Sequence, residues 1–476
     1  MSVLVLIHTI GASFGIDNPG QLSWLVAGYS LTVGTFILFS GRLGDVFGYK
    51  RMLLIGFAWF ALWSVVAGVS VYSNFVLFVF ARVLQGIGPA ICLPNGLAIF
   101  GATYPPGHRK AMVFSFFGAS APTGALVGSV ISSLLAEAWW PWLFWVMAIT
   151  LIVVAVVGYF VIPSPPQKLG PPHNLREMFI ELDIPGVVSG VAALVLFNFA
   201  WNQAPLTGWD RPEVIVTLIL GVLLAVSFFL VELKYSPMPL LPLDAVNADV
   251  AFVLAAVCCG WACFGVWSLY FVQILEQIRD LPPLLTCAWL VPVVPAGIFA
   301  AVLTGLLLGP AQVKPPYVMI MALTAFIVGT VLTATASIHS SYWAPTFIAV
   351  LIIPFGMDMS FPAATLILSD AVAKKHQGIG ASLINTVVNY GISLGVGFAG
   401  TVEVHINNGG KTKPDLLKGF HGALYMGIGL AGLGLVICLA YLARHHRQKG
   451  NQGTESEKTV TPGDRTPNVP VEGDQN

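Results

Sequence analysis

Charge is what this chain has least of. Only 9% of its 476 residues are charged, against about a quarter in soluble proteins, while 56% are hydrophobic and the mean hydropathy is +0.82. That excludes an ordinary soluble domain and points to a membrane protein. Basic and acidic residues number 22 each, so the net charge is zero, which excludes nucleic acid and other polyanions as partners of the whole molecule. Cysteine is scarce as well. Cys92, Cys258, Cys259, Cys263, Cys287 and Cys438 all fall inside apolar runs, a pattern that supports neither a disulfide framework nor a zinc site. Nor is there an Asn-x-Ser/Thr sequon to mark a loop as facing outward.

Long apolar runs are what the chain does have. A membrane-crossing helix needs about 20 mostly apolar residues, and full spans are expected near 22–42, 51–71, 75–101, 111–136, 141–162, 184–204, 212–233, 249–275, 284–308, 316–337, 342–369, 377–402 and 416–443. Ahead of them, residues 3–16 form a run too short to cross comfortably, and no cleavage pattern makes it a signal peptide. It is expected to be the second half of a truncated first span, for fourteen spans in all. Residues 444–476 turn polar and rich in Gly and Pro, so a disordered tail is expected there.

Lysine and arginine fall unevenly on the two sides of these spans. Arg42, Lys50, Arg51, Arg109, Lys110, Lys168, Arg176, Lys234, Lys314, Lys374, Lys375 and five tail residues make 16 on one side; Arg211, Arg279, Lys411, Lys413 and Lys418 make 5 on the other. The bias puts the first group and the C-terminus in the cytoplasm. Arg82 alone sits within a span.

A repeat is visible at a fixed offset. The loops GRLGDVFGYKR at 41–51 and GLLLGPAQVKP at 305–315 are 264 residues apart, and Gly124/Gly128 and Gly391/Gly395 are 267 apart. Both offsets relate span n to span n+8, which fits two six-helix halves of like orientation with two extra helices between them. The units expected are 1–162, 163–233 with a linker and the inserted pair, 249–443, and the tail 444–476.

Two motifs carry a family resemblance. In the loop at 41–51, Gly41, Leu43, Asp45, Gly48 and Lys50 match the loop signature of the major facilitator superfamily; Val46 replaces the usual Arg, and Arg51 restores a charge near Tyr49. FARVLQGIGPA at 80–90 is similar to that family's fourth-span signature, with Arg82, Gln85, Gly86 and Gly88 in place. The whole chain apart from its tail resembles the 14-spanner drug:proton antiporters. GASAPTGALVGS at 118–129 keeps Pro122 of the antiporter signature but has Ala121 for the preceding Gly and lacks the Gly-Gly that follows. PFGMDMSFPAATLILSD, HQGIGASLINTVVNYG and WWPWLFW look like a fungal branch that includes aminotriazole-resistance, borate-efflux and low-affinity ammonium transporters. The resemblance implies an all-α integral membrane fold, two six-helix bundles with two additional central helices.

Each candidate residue has two readings. Asp45, between glycines that allow close helix approach, can accept from a neighbouring helix N-terminus and pair with Lys50 or Arg51; the resemblance implies a conformational latch, and the plain alternative is a solvated loop acid. A charge at Arg82 costs about 2.5–3.5 kcal/mol on insertion scales, so it is either a coupling residue facing the bundle interior or one that snorkels or bonds carbonyls. Gln85, a turn further on the same face, can orient it or line the path. Asp358, in the middle of span twelve, lacks solvent and would protonate more easily, as a proton carrier must; the alternative is an acid capping the break made by Pro354 and Pro362. If span twelve repeats span four, Asp358 and Arg82 face each other.

The remaining features are weaker. Asn385 and Asn389 share a face of span thirteen beside Tyr390 and either glue helices or touch solute. Asn198 and Asn202 repeat that spacing in the inserted pair and are expected to be structural. Gly124 and Gly128 form a small-residue stripe for tight packing; the resemblance implies that this region sets transport direction, and its degraded signature weakens outward drug antiport. The run Trp139–Trp145, beside Glu137, is expected to mark the interfacial belt, with Pro141 opening the next helix.

These readings converge on a secondary transporter working by alternating access, coupled to protons and moving a small solute or drug outward. The alternatives are a proton-independent facilitator or importer of a small polar solute such as ammonium, and a non-transporting sensor on the same fold. No GxxxxGK[ST] loop is present, so ATP is not the driving force. An integral-membrane enzyme would need a His or Asp cluster, and only His445 and His446 adjoin. No cofactor or metal is expected. The partners expected are a small-molecule substrate, protons and the lipid bilayer, the chain being a monomer in the plasma membrane ahead of vacuolar or other internal membranes.

Overall fold

The computed structural model describes residues 2–16, 18–104, 108–163, 174–240, 248–337, 340–371 and 377–459. All regular structure among them is helical. The first half of the chain forms α1 (Ile7–Ser13), α2 (Pro19–Phe47), α3 (Tyr49–Val69), α4 (Phe75–Gln85), α5 (Ile87–Thr103), α6 (His108–Ala138) and α7 (Trp142–Val161). A short α8 (Leu175–Glu181) leads into an inserted pair, α9 (Ile184–Thr207) and α10 (Pro212–Lys234). The second half comprises α11 (Ala248–Gln273), α12 (Pro283–Leu290), α13 (Val293–Leu308), α14 (Pro315–Thr335), α15 (Phe347–Ala371), α16 (Gln377–Ile406) and α17 (Lys413–Thr459).

The chain writes its own helix starts. Asn18, Asn74 and Asn174 accept from the backbone N–H of Gly20, Leu77 and Glu177 at 2.8–2.9 Å, satisfying donors that a helix start leaves free. Pro19, Pro212, Pro283 and Pro315 occupy first-turn positions, where a missing N–H costs nothing. Within the expected span 75–101, α4 and α5 meet at Gly86. A Cβ there would stand 2.1 Å from Thr32 Oγ1 and 2.5 Å from the Tyr29 carbonyl, so only glycine lets α2 come this close.

Twelve helices among the described residues are long and apolar enough to cross a membrane. The expected first span appears as the shorter apolar helix Leu4–Ser13, and the expected fifth lies within the 31-residue α6, whose described apolar stretch is Thr123–Ala138. α17 runs to Thr459, and no proline follows its first turn before Pro462. Residues 460–476 lie outside the described part.

In the first half α3 packs on α4, α5 and α7, and α2 on α4 and α5; in the second, α11 packs on α15, α16 and α17, and α14 on α15 and α17. The halves meet where α2 runs along α16 and where α6 crosses α12 and α13. The inserted α9 lies across α2 and α16 and carries α10 on its outer side. Apolar side chains on α7 and α10, such as Phe160, Val222 and Leu223, are exposed, as lipid-facing helices require. The first segment does the opposite. Val5, Leu6 and Ile7 are completely buried, in one apolar cluster with Phe144, Trp267 and Leu290 from both halves.

Alternating helix directions give the bundle two ends. One carries the loop at 41–51 and is called the basic end; the other, where α6 and α12 meet, is the far end.

Candidate functional site

Arg82 is 7% exposed and Gln85 is fully buried, on adjacent turns of α4. The Arg82 guanidinium donates through Nη1 to Gln85 Oε1 and through Nη2 to the Leu25 carbonyl at 3.4 Å, and its centre lies 4.5 Å from the Tyr29 ring. Gln85 in turn donates to Ser64 Oγ at 2.6 Å. The charge is thus held inside the first half by α2, α3 and α4 rather than snorkelling to an interface. Its Nε has no acceptor among the described residues.

Asp358 sits on α15, in the second half. Its Oδ2 is buried with no hydrogen-bond partner, while its backbone carbonyl accepts from Thr304 Oγ1 at 3.4 Å. Asp358 and Arg82 stand on helices that pack within separate halves, α4 on α2, α3 and α5 and α15 on α11, α13, α14 and α16, and the Arg82 guanidinium is engaged within its own half. The repeat places the two residues on related helices but gives no information on how closely the halves approach.

Asn389 donates to the Asn385 carbonyl at 3.0 Å. The Asn389 Cβ lies close to Gly34 of α2, where a Cβ would meet it at 3.2 Å and the Tyr390 backbone nitrogen at 2.8 Å. These amides therefore stand at the seam between the halves. Tyr390 reaches away from it to the Leu194 carbonyl at 3.0 Å. On α9, Asn202 donates to Asn198 Oδ1 at 2.9 Å, and the Ser393 hydroxyl of α16 lies 2.9 Å from the same oxygen and 2.8 Å from the Ala27 carbonyl of α2, its single proton serving one of them at a time. Asn198 and Asn202 thus fasten the inserted pair to α16.

Asp45 accepts from Tyr49 OH at 2.6 Å. Neither Lys50 nor Arg51 takes the pairing expected of it: Lys50 donates to the Tyr159 carbonyl at 2.8 Å, and Arg51 is exposed. The following turn of α3 carries Tyr49 back over α2, whereas Lys50 and Arg51 diverge. Gly48, at φ 94°, makes that reversal, a conformation glycine adopts without strain. Gly41 approaches Ser382 of α16. One turn away the buried Asn95 donates to the carbonyls of Ser40 and Ile91 at 3.2 and 2.7 Å.

The glycine expectations divide. Gly88 stands against Phe60, at 2.5 Å from the position of a Cβ, and Gly86 against Thr32, both as close packing requires. Gly391 and Gly395 press on the α11 backbone, with Cys258 and Ala262 carbonyls 2.9 and 2.5 Å from their Cβ positions. Among the described residues a Cβ at Gly124 would meet nothing within 4 Å, and one at Gly128 would meet Ser2 Oγ. Small residues permit an approach without compelling it. The surroundings of Pro122 lie outside the described residues. The aromatic belt needs a similar correction, because Trp140 is 3% exposed and packs among Phe14, Phe78 and Phe144, leaving Trp139 and Trp142 outward.

Several polar contacts escaped the sequence reading. At the far end Ser133 Oγ and Cys287 Sγ share a hydrogen bond of 3.2 Å, and Gln277 Nε2 donates to the His8 ring at 3.0 Å. Both join the two halves. Glu403, 3% exposed, accepts from Tyr270 OH at 2.7 Å. The isolation among apolar neighbours that singled out Asp358 would have flagged Glu403 and Glu276 too; no sequence signal links Ser133 to Cys287 or His8 to Gln277.

Two helical halves meeting along a seam, each holding isolated buried polar or charged groups, define a secondary transporter of the membrane. The chain belongs to the Major Facilitator Superfamily, whose profile matches residues 1–396 and 297–470. It is 52% identical over 439 residues to the low affinity ammonium transporter of Saccharomyces cerevisiae, covering 92% of this chain and 84% of that one. To the efflux pump terG of Aspergillus terreus it is 42% identical over 457 residues, with 96% and 86% covered. The aminotriazole resistance protein of Saccharomyces cerevisiae is 37% identical over 445 residues, 92% and 80%. Among solved structures, a peptide transporter POT in complex with sulfate superposes with a TM-score of 0.66 at 16% identity, covering 94% of this chain and 90% of that one; that likeness concerns the fold. The protein is a multi-pass membrane transporter and belongs to no enzyme family, as its loop and fourth-span motifs implied.

Proposed function

We propose that this transporter moves a small polar solute or drug outward by alternating access, in exchange for protons carried by Asp358. Arg82 and Gln85 face the path from the other half, and Asn385 and Asn389 touch solute at the seam. The observation that carries this reading is closure at one end. At the far end the halves are bonded through Ser133 and Cys287 and through His8 and Gln277, contacts that must part if the path is to open there in the other access state.

In this reading the basic end and the C-terminus face the cytoplasm, α6 and the first segment complete fourteen crossings, and the chain works as a monomer in the plasma membrane. Asp45 with Tyr49 is part of the latch that holds the access state. A second reading, import or facilitated passage of ammonium, is favoured by the 52% identity to a protein described as a low affinity ammonium transporter.

The test is flux in proteoliposomes with an imposed pH gradient, across azoles, borate and methylammonium. Substrate-dependent proton movement that disappears in Asp358→Asn is expected. Unchanged solute flux after collapse of the gradient would turn the reading to a facilitator, and no flux of any solute would end it in favour of a sensor.

A further inference from the structure

The far-end seam holds a group of buried hydrogen-bond acceptors without partners among the described residues. α11 ends in a π turn, Ile274–Ile278, an irregularity often found at functional positions. The turn sets two faces apart. Ile274 and Leu275 face Leu417 and His421 of α17 around a cavity inside the second half. Gln277 points the other way, to His8 of the first half. The elements that pack here are the first segment, α6, α12 and the π turn itself, so the seam between the halves runs through this turn.

Four acceptor oxygens remain on these elements. Gln277 Oε1 and Glu276 Oε1 are buried without a partner on the π turn, Gln273 Oε1 likewise one turn earlier, and Thr286 Oγ1 on α12 beside Cys287. Gln273 is 1% exposed and Thr286 is fully buried. An unsatisfied buried polar atom costs about 1–3 kcal/mol; four in one region call for a ligand that donates. A carboxylate among them favours a cation, and the amide and hydroxyl oxygens can accept from the N–H groups of an ammonium.

We propose that Gln273, Glu276, Gln277 and Thr286 form a binding site for a small ammonium-type cation at the far end of the path, with His8 as its lid from the opposite half. This rests on the transporter reading above and names its substrate class. The site is the last station before release when the far end opens, because parting the halves separates His8 from Gln277 and admits water to the acceptors.

The test is binding of radiolabelled methylammonium to the purified full-length protein in nanodiscs, alongside the flux assay. Hydrogen bonds to charged groups are worth enough that Glu276→Gln is expected to weaken binding about tenfold or more, and Gln277→Leu and Thr286→Val about fivefold each. Thermal unfolding checks that each variant is folded. Tetramethylammonium, which has the charge but no N–H, probes the wild type independently of folding and is expected to compete at least about tenfold less well than methylammonium. Equal competition by the two cations overturns the site, as does affinity within twofold of wild type in all three folded variants. If the wild type carries another solute and binds no methylammonium, the site is wrong and the transporter reading stands. Binding lost in Glu276→Gln with no flux of any solute upholds the site and removes the transporter reading.

Discussion

Ser133 and Cys287 lie on opposite halves of the protein with their side-chain heteroatoms 3.2 Å apart. They are 2% and 0% exposed and close the far end where α6 crosses α12. A sulfur at position 133 would stand within bonding reach of the native thiol after a small adjustment. Ser133→Cys, oxidised with copper phenanthroline, is therefore expected to bring flux down to the level of empty liposomes, with recovery on reduction. Ser133→Cys combined with Cys287→Ser is expected to be insensitive to oxidant. If mass spectrometry shows the cross-link and flux continues, the far-end seam does not open during transport.

Arg82 is positioned by a fork rather than by charge alone. One guanidinium nitrogen serves Gln85 and another the Leu25 carbonyl, while the plane sits over Tyr29. Lysine keeps the charge but cannot reach these partners together, so Arg82→Lys is expected to lower maximal flux about tenfold or more. Gln85→Ala leaves the guanidinium and Ser64 short of partners and is expected to cost about 1–3 kcal/mol in stability, read by thermal unfolding. Wild-type flux in Arg82→Lys would reduce Arg82 to a structural cation.

What the sequence could tell about this site depended on sequence distance. Arg82 and Gln85 are three residues apart on one helix, and helical geometry alone brings them together. Asp45 was flagged by its glycines, yet its partner Tyr49 depended on the turn geometry at Gly48. The contacts between Ser133 and Cys287 and between His8 and Gln277 depend on how two halves dock, and no local pattern encodes that. The apolar runs fared best, because burying backbone polar groups in lipid forces each into a helix whatever its neighbours.

Asp358 Oδ2 has no hydrogen-bond partner among the described residues, so a proton on it can be exchanged without breaking a bond to them. Asp358→Asn keeps the shape and removes the titration. It is expected to abolish uphill accumulation driven by a pH gradient while leaving solute exchange at equal concentrations within about twofold. Loss of both processes together, in a variant that unfolds at the wild-type temperature, would make Asp358 a solute ligand instead of a proton carrier.

Ser393 on α16 stands between two buried acceptors, the Ala27 carbonyl of α2 and Asn198 Oδ1 of α9, and its hydroxyl proton serves one of them at a time. Its contact with Asn198 secures the inserted pair to the seam. Ser393→Ala is expected to lower stability by about 1–3 kcal/mol because these buried acceptors lose a donor. Asn198→Leu with Ser393→Ala, which removes both polar groups, is expected to recover part of that loss. Unfolding midpoints of the two single variants and the double decide it; strict additivity would mean that the pair is not coupled.

The two glycine pairs at the repeat offset make the sharpest contrast, since sequence treats them alike. At Gly395 a Cβ would meet the backbone of Ala262, with its carbonyl oxygen at 2.5 Å, its Cα at 2.8 Å and its carbonyl carbon at 2.9 Å. Backbone cannot rotate aside as a side chain can, so Gly395→Ala must push α16 away from α11. A loss of about 1–3 kcal/mol is expected, as for an overpacked core. At Gly124 there is nothing within 4 Å, and alanine is the better helix former by about 1 kcal/mol. Gly124→Ala is expected to leave the unfolding midpoint unchanged or raise it slightly. Since alternating access brings different faces together in its other state, the same variant is expected to slow flux if α6 closes there when the far end opens. A flux unaffected by Gly124→Ala and by the bulkier Gly124→Val would mean that this face of α6 stays apart from its neighbours in both access states.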